Sequence, residues 1–135
     1  MQDFRNLKVW ERAHRLAMAI YEITREFPKA EAFGLTSQLR RCAVSIPSNI
    51  AEGCGRSGDR ELARFLQIAG GSASELEYQL LLCLELGYIE KQSHDILEKR
   101  VQEVKRMIGT LARSLREGAS GLPHQPGRGD TTAQD

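Results

Sequence analysis

The sequence has few aromatic residues, no excess of either charge and no long apolar run. Phe, Trp and Tyr make up 6% of the 135 residues, which argues against a series of aromatic platforms for stacking nucleic-acid bases. The formal net charge is +1, so composition alone does not indicate a strongly basic nucleic-acid binder. The longest apolar run, residues 80–84, is far shorter than the ~18 residues of a membrane span. We expect no contact with a membrane.

Cysteines are also few, and they are not arranged as pairs. Cys42, Cys54 and Cys83 form no C-x-x-C motif, and an odd number does not suit a disulfide framework. The first residues contain no apolar signal segment. These features favour a cytoplasmic protein in a reducing compartment. Cys54, between Gly53 and Gly55, is predicted to be the most exposed thiol.

Apolar residues recur at steps of three and four in four segments, a pattern typical of one buried helix face. Thr36, Ser57 and Ser93 are the predicted N-caps of the last three helices. The predicted helices cover about residues 7–27, 36–54, 58–87 and 94–117. The sequence therefore predicts an all-α, antiparallel up-down-up-down four-helix bundle over residues 1–118. The Gly- and Pro-rich segment 119–135 is predicted to be a disordered tail.

Two of the helices carry a second stripe of residues besides the one assigned to the core. Helix 2 carries Arg41, Ser45, Ser48, Asn49, Glu52 and Arg56, and helix 3 carries Phe65, Ile68, Ser72, Glu75, Gln79, Leu82 and Leu86. The helix 3 stripe is apolar at both ends, and a helix that is apolar on two sides is buried on two sides. We interpret the two stripes as an oligomer interface with a polar layer. The alternative is a wide core face beside an ordinary solvated face.

Several strings in the sequence resemble one known family over residues 4–115. They include Phe4-Arg5-Asn6-Leu7-Lys8-Val9-Trp10, Phe27-Pro28 with Glu31, Phe33-Gly34-Leu35, Ser45-Ile46-Pro47-Ser48-Asn49-Ile50-Ala51-Glu52-Gly53 and Leu86-Gly87-Tyr88. In these strings the chain resembles the four-helix bundle proteins called 23S rRNA intervening-sequence proteins. The resemblance implies a ring-shaped homopentamer. A similar family, the accessory variability determinant of diversity-generating retroelements, is a basic pentamer that binds a reverse transcriptase and nucleic acid, whereas this chain is nearly neutral.

The candidates for metal binding and nucleophilic catalysis are incomplete. Glu11-x-x-His14 has the spacing of half a di-iron site, but neither His94 nor His124 has a glutamate three residues earlier. His14 is therefore interpreted as a residue of the helix surface. The cysteine spacing suits no compact zinc site, and no base lies near a cysteine in the sequence. We predict no metal and no cofactor.

Glu52 and Glu75 are the remaining candidates for catalysis. General acid–base chemistry would require the two carboxylates to be paired in a cleft. The structural alternative is that they pair with arginines such as Arg41 or Arg56, or belong to the polar layer. We favour this alternative, and we expect neither enzymatic activity nor a small-molecule substrate.

Lysines and arginines concentrate in helices 2 and 4, whereas helix 3 is acidic. Repeated around a ring, these cations would form a belt able to contact phosphates. The candidate nucleic-acid contacts are Arg40, Arg41, Arg56, Lys99, Arg100, Lys105 and Arg106. The alternative is that they are ordinary solvated residues and partners in salt bridges between subunits. We therefore expect a non-enzymatic scaffold protein that binds copies of itself, or an accessory protein that acts with RNA or a nucleic-acid enzyme.

Overall fold

The computed structural model describes residues 2–119, and these residues form four α-helices without a strand. The helices are α1 Lys8–Thr24, α2 Leu35–Gly55, α3 Asp59–Glu85 and α4 Lys91–Ala119, with short 3-10 helices at Phe4–Asn6 and Lys29–Glu31. This confirms the all-α, four-helix prediction. The predicted tail lies outside the described residues from residue 120 onward.

The core is formed by the one apolar stripe that each helix contributes. Each of α1 and α3 contacts both α2 and α4, so the four stripes meet in a single cluster. Its fully buried side chains include Leu16, Ile20, Leu39, Ile46, Ile50, Leu66, Leu76, Leu80, Val101 and Val104. Within residues 2–119, no helix is both long enough and apolar enough to cross a membrane.

The first helix ends three residues earlier than predicted, at Thr24. The Thr24 hydroxyl donates to the carbonyl of Ile20 at 2.7 Å, and the chain then leaves the helix through a turn in which the Phe27 amide donates to the Thr24 carbonyl. Phe27 is buried outside the helix, with its ring centroid 5.4 Å from that of Tyr88. Phe27 is therefore a core residue of the connection and not the last residue of the helical stripe.

The three predicted N-caps are wrong, because backbone geometry and a carboxylate from the preceding turn begin these helices. Thr36 and Ser93 lie inside helices that start at Leu35 and Lys91. The N-cap residue of α3 is Gly58, and not Ser57 as predicted. Gly58 has φ +94°, a backbone conformation that favours glycine. At the start of α4, the His94 amide donates to the carbonyl of Glu90, which extends the helix in front of Ser93.

Glu31 provides the side-chain cap that the sequence analysis assigned to Thr36. Its Oε1 accepts the Leu35 amide at 3.0 Å, and its Oε2 accepts the Tyr88 hydroxyl at 2.9 Å. A Cβ at Gly34 would lie 2.8 Å from Glu31 Oε1, so the glycine leaves room for the carboxylate. Tyr88 follows Gly87, whose positive φ of 81° closes the end of α3. The contact therefore joins two connections that are far apart in sequence.

These hydrogen bonds predict a pH dependence of stability. The bond from the Leu35 amide, and then that from Tyr88, lower the pKa of Glu31 below 4.5. A depressed folded-state pKa contributes stability that is present above pH 4.5 and is lost as the pH falls through the folded-state value. We expect Glu31→Gln to reduce the acid-dependent fall in the free energy of unfolding, measured by urea denaturation between pH 7 and pH 3.

Tyr88→Phe is the matched control for this prediction. It removes the hydroxyl that bonds to Glu31 but keeps the ring that packs on Phe27 and leaves the bond from the Leu35 amide in place. We expect an intermediate acid dependence for this variant. A Glu31→Gln protein with the full acid dependence of the wild type would contradict the assignment.

Candidate interaction surfaces

The structure brings the two second stripes side by side on the outer face of α2 and α3. Near one end of this face, the Cys42 thiol donates to the Ser72 carbonyl at 3.1 Å. Near the other end, the Arg56 guanidinium lies over the Phe65 ring at 5.1 Å. Phe65 is buried, in part because Arg64 covers the same ring. The residues that were assigned to one interface from their spacing therefore share one surface.

The polar members of this face bond mostly within their own helices. Their bonds are Arg41 to Ser37, Ser45 to the Cys42 carbonyl, Asn49 to the Ser45 carbonyl, Arg56 to Glu52 and Gln79 to Glu75. Oε1 of Gln79 is buried and has no partner among the described residues. The proposed polar layer thus consists of bonds along each helix and does not link α2 to α3.

Glu52 and Glu75 do not form the carboxylate pair that catalysis would require. Glu75 lies beside Cys42, whose pKa it raises, and Glu52 is ten residues farther along α2, or about 15 Å at 1.5 Å per residue. Glu52 pairs with Arg56 at 2.9 Å. Within one chain the two glutamates are therefore not paired with each other, and Glu52 has the arginine partner that the structural alternative expected.

Apolar side chains remain exposed along one edge of α3. Ile68 and Leu86 are 42% and 52% exposed, and Leu82 between them is partly buried. We call Ile68, Glu75, Leu82 and Leu86 the α3 patch. Residues 65–90 contain four glutamates and no lysine or arginine, so the α3 patch lies on an acidic part of the surface.

A second exposed surface, which the sequence analysis did not single out, lies between α1 and α2. Phe33 is fully exposed, and Tyr21 and Val44 are partly exposed beside it. Arg40 and Arg41 line the same groove, whose lining residues include no carboxylate. We call Tyr21, Phe33, Arg40, Arg41 and Val44 the α1–α2 groove. Phe33 belongs to a quoted motif string, but its exposure depends on a turn that periodicity does not predict.

The predicted phosphate contacts divide into two groups. Four are already engaged: Arg40 with Thr24 and the Tyr21 carbonyl and ring, Arg41 with Ser37, Arg56 with Glu52 and Lys105 with Glu77. Lys99, Arg100 and Arg106 have no bonded partner within residues 2–119.

Arg113, which was not among the predicted contacts, is exposed and also has no bonded partner within residues 2–119. The spacing of seven residues from Lys99 to Arg106 and from Arg106 to Arg113 could have revealed it.

The prediction that Cys54 is the most exposed thiol is wrong, because all three thiols are buried. Cys54 lies one helical turn after Ile50 on the core side of α2. The Gln2 amide donates a hydrogen bond to the carbonyl of Cys54 at 3.0 Å. Burial, and to a smaller extent the nearby negative charge of Glu75, raises the pKa of Cys42 to about 12. Burial, and to a smaller extent the negative charge of Glu31, raises the pKa of Cys83 to about 11. Their reactive thiolate forms are therefore disfavoured at neutral pH.

Two histidines have defined surroundings. His14 is exposed and its ring stacks on Trp10 with centroids 5.0 Å apart, while Glu11 pairs with Arg15. The buried His94 lies with Asp95 and Glu98, and one potential ligand atom from each falls within 4.8 Å of the others. Hydrogen bonds from Lys91, and then from His94, lower the pKa of Asp95. That carboxylate is therefore already engaged by a lysine.

Comparison with known proteins identifies a family and solved structures of similar fold. The family described as 23S rRNA-intervening sequence protein matches residues 5–110. A protein of unknown function from the S23 ribosomal protein family of Bacteroides thetaiotaomicron VPI-5482 is similar in structure, with a TM-score of 0.72 and 22% identity. The alignment covers 78% of this chain and 95% of that one. No curated protein matches.

Proposed function

Because the chain belongs to the 23S rRNA-intervening sequence protein family, we propose that it is a non-enzymatic scaffold protein that assembles from copies of itself. The observation that supports this most directly is the α3 patch. Ile68, Leu82 and Leu86 extend over about 27 Å of helix at 1.5 Å per residue. Ile68 and Leu86 are exposed, and Leu82 between them is partly buried against the core. Contact with a second copy would remove their apolar surface from water, which favours association.

The proposed building block is an antiparallel up-down-up-down bundle. Two contacts between α2 and α3 support this order, since Cys42 meets Ser72 whereas Gly53 lies against Leu62. The proposed assembly is a ring-shaped homopentamer, as the family resemblance implies. Five chains of 15.1 kDa would have a mass of about 75 kDa.

The oligomeric state tests this proposal. We expect light scattering at micromolar concentration to give a single species much heavier than 15.1 kDa. We expect Ile68→Lys to shift the mass to that of the monomer with unchanged helical circular dichroism, because a charge would be buried without a partner in the contact. Ile96→Lys on α4, at a site 49% exposed against 42% for Ile68, is the matched control. A wild-type monomer would overturn the proposal.

A second candidate function, binding of RNA by an accessory protein of a nucleic-acid enzyme, is favoured by the unengaged cations of α4. Lys99, Arg106 and Arg113 are seven residues apart, which places successive charges about 10 Å apart on one face. Arg100 adds a fourth charge beside them. Such a line could contact successive phosphates without reading the sequence of bases.

Exchange of these four cations for glutamine tests the second function. We expect the variant to lose most of its affinity for a structured RNA hairpin, and the dependence of log K on log salt to become less steep, since each phosphate contact contributes about 0.7–0.9 to that slope. The control is the same exchange at four cations paired with carboxylates: Arg5, Arg15, Arg25 and Lys91. Equal loss in both variants would contradict a role specific to α4.

A further inference from the structure

We infer that copies of the chain join head to tail, with the α1–α2 groove of one copy receiving the α3 patch of the next. This inference rests on the proposed self-association and specifies the surfaces that carry it. The groove lies on the α1 side of α2 and the α3 patch lies on α3, so no residue belongs to both, although Arg41 of the groove is also part of the outer face of α2. Each copy would therefore give one contact and accept another, which is a heterologous interface.

The groove has an apolar surface and an unused polar group. Phe33 projects fully into solvent from the turn before α2, beside the partly exposed Tyr21 and Val44. Thr36 also lines the groove, and its buried hydroxyl has no partner among the described residues. A buried polar atom without a hydrogen bond is unfavourable. A partner in the groove would remove the exposed apolar surface of Phe33, Tyr21 and Val44 from water.

The charges of the groove and of the α3 patch are opposite. Arg40 and Arg41 line the groove without a carboxylate. Glu75 lies within the α3 patch, and Glu85 is exposed one residue before Leu86. In the proposed contact, the arginines of the groove meet a segment that carries four glutamates and no lysine or arginine from residue 65 to residue 90, with Arg56 and Arg64 lying at its far end over Phe65.

Opposite charge distinguishes head-to-tail contact from contact between like surfaces. If the grooves of two copies met, the arginines Arg40 and Arg41 of one copy would face the same two arginines of the other. If two α3 patches met, Glu75 of one copy would face a glutamate of the other. Both arrangements place like charges together, which is unfavourable. Contact of the groove with the α3 patch pairs arginine with glutamate and joins apolar residues on both sides.

Mixing two variants, each with one damaged surface, tests the inference. Phe33→Asp damages only the groove, because it places a carboxylate opposite the glutamates of the α3 patch. Ile68→Lys damages only the α3 patch, because it places a cation opposite Arg40 and Arg41. We expect each variant alone to be a monomer of about 15 kDa. We expect an equimolar mixture to form a 1:1 complex of twice that mass and nothing larger, because one intact groove and one intact α3 patch remain in each pair. Multi-angle light scattering after size-exclusion chromatography measures both results.

The matched controls are Ile96→Asp and Ile96→Lys, which place the same charges on α4 outside both surfaces and should retain the wild-type mass. Self-association of either damaged variant into a dimer would overturn the head-to-tail contact in favour of contact between like surfaces. An oligomeric wild type whose damaged variants do not combine would also overturn it, while leaving self-association intact. A monomeric wild type would instead overturn the proposed scaffold function, and the head-to-tail contact with it.

Exchange of charges provides an independent measurement with substitutions at exposed residues. Arg41→Glu alone and Glu75→Arg alone should each weaken association by at least tenfold in the midpoint concentration. The protein that carries both changes should recover most of that loss, because the pair is restored with its sign reversed. Absence of recovery in the double variant would contradict the pairing of these two surfaces.

Discussion

Leu76→Ala is expected to lower the free energy of unfolding by about 2–5 kcal/mol, the usual cost of replacing a buried leucine by alanine. Leu76 is fully buried in the middle of α3, where the stripes of all four helices meet. The substitution removes apolar contacts and leaves a cavity that rigid helices fill only in part. Chemical denaturation followed by circular dichroism at 222 nm measures the change.

Leu81→Ala is the matched control, because it makes the same substitution on the same helix at a residue that is 42% exposed. We expect it to cost less than about 1 kcal/mol, since little apolar surface is removed from water at that site. Both variants must be compared with the wild type at one protein concentration, because association contributes to apparent stability. Equal losses at the two leucines would contradict the core assigned to α3.

Gly53→Val is expected to give the second large loss of stability. A Cβ at Gly53 would lie 2.9 Å from Cδ1 of Leu62 and 2.9 Å from Cβ of Phe65. The second of these atoms is fixed to the backbone of α3, so the two helices would have to separate. Overpacking of this kind costs about 1–3 kcal/mol, and the γ-methyl groups of valine add to the crowding. We expect a lower midpoint of urea denaturation.

Gly55→Val is the control for this effect, two residues away at the end of the same helix. A Cβ at Gly55 would meet nothing within 4 Å, so we expect a change within about 0.5 kcal/mol, typical of surface substitutions. Comparable losses at both positions would show that backbone propensity, and not the close approach of α2 to α3, determines the result. The same contact accounts for the glycine that follows Glu52 in this chain.

The helical periodicity predicted the fold class because each core stripe needs only the positions of apolar residues along one helix. Leu39, Ile46 and Ile50 were assigned to the core by spacing, and all three are buried. The helix starts could not be predicted in this way. Thr36 has the chemistry of an N-cap, but Glu31 reaches the Leu35 amide from the preceding turn and Tyr88 holds it there. That contact depends on how two connections meet in space.

The candidate surfaces were predicted in part. Spacing placed Ile68 and Glu75 on one outer face of α3, and both are exposed. It could not show that Arg40 is bonded to Thr24 of α1, or that Lys99 and Arg106 lack such a partner in the described part of the chain. The state of a charged side chain depends on the residues that the neighbouring helix brings near it, and the separation of charges in sequence does not give that information.

The sequence by itself determined that this chain forms four helices with one core stripe each, because helical periodicity is a local property of the chain. It also indicated the family through short strings whose residues occupy turns and close contacts. The tertiary structure decided which residues are available for partners: it buried Cys54, separated Glu52 from Glu75, engaged Arg40 and exposed Phe33. These outcomes depend on which helices are neighbours and how closely they approach, since burial and pairing are set by side chains distant in sequence.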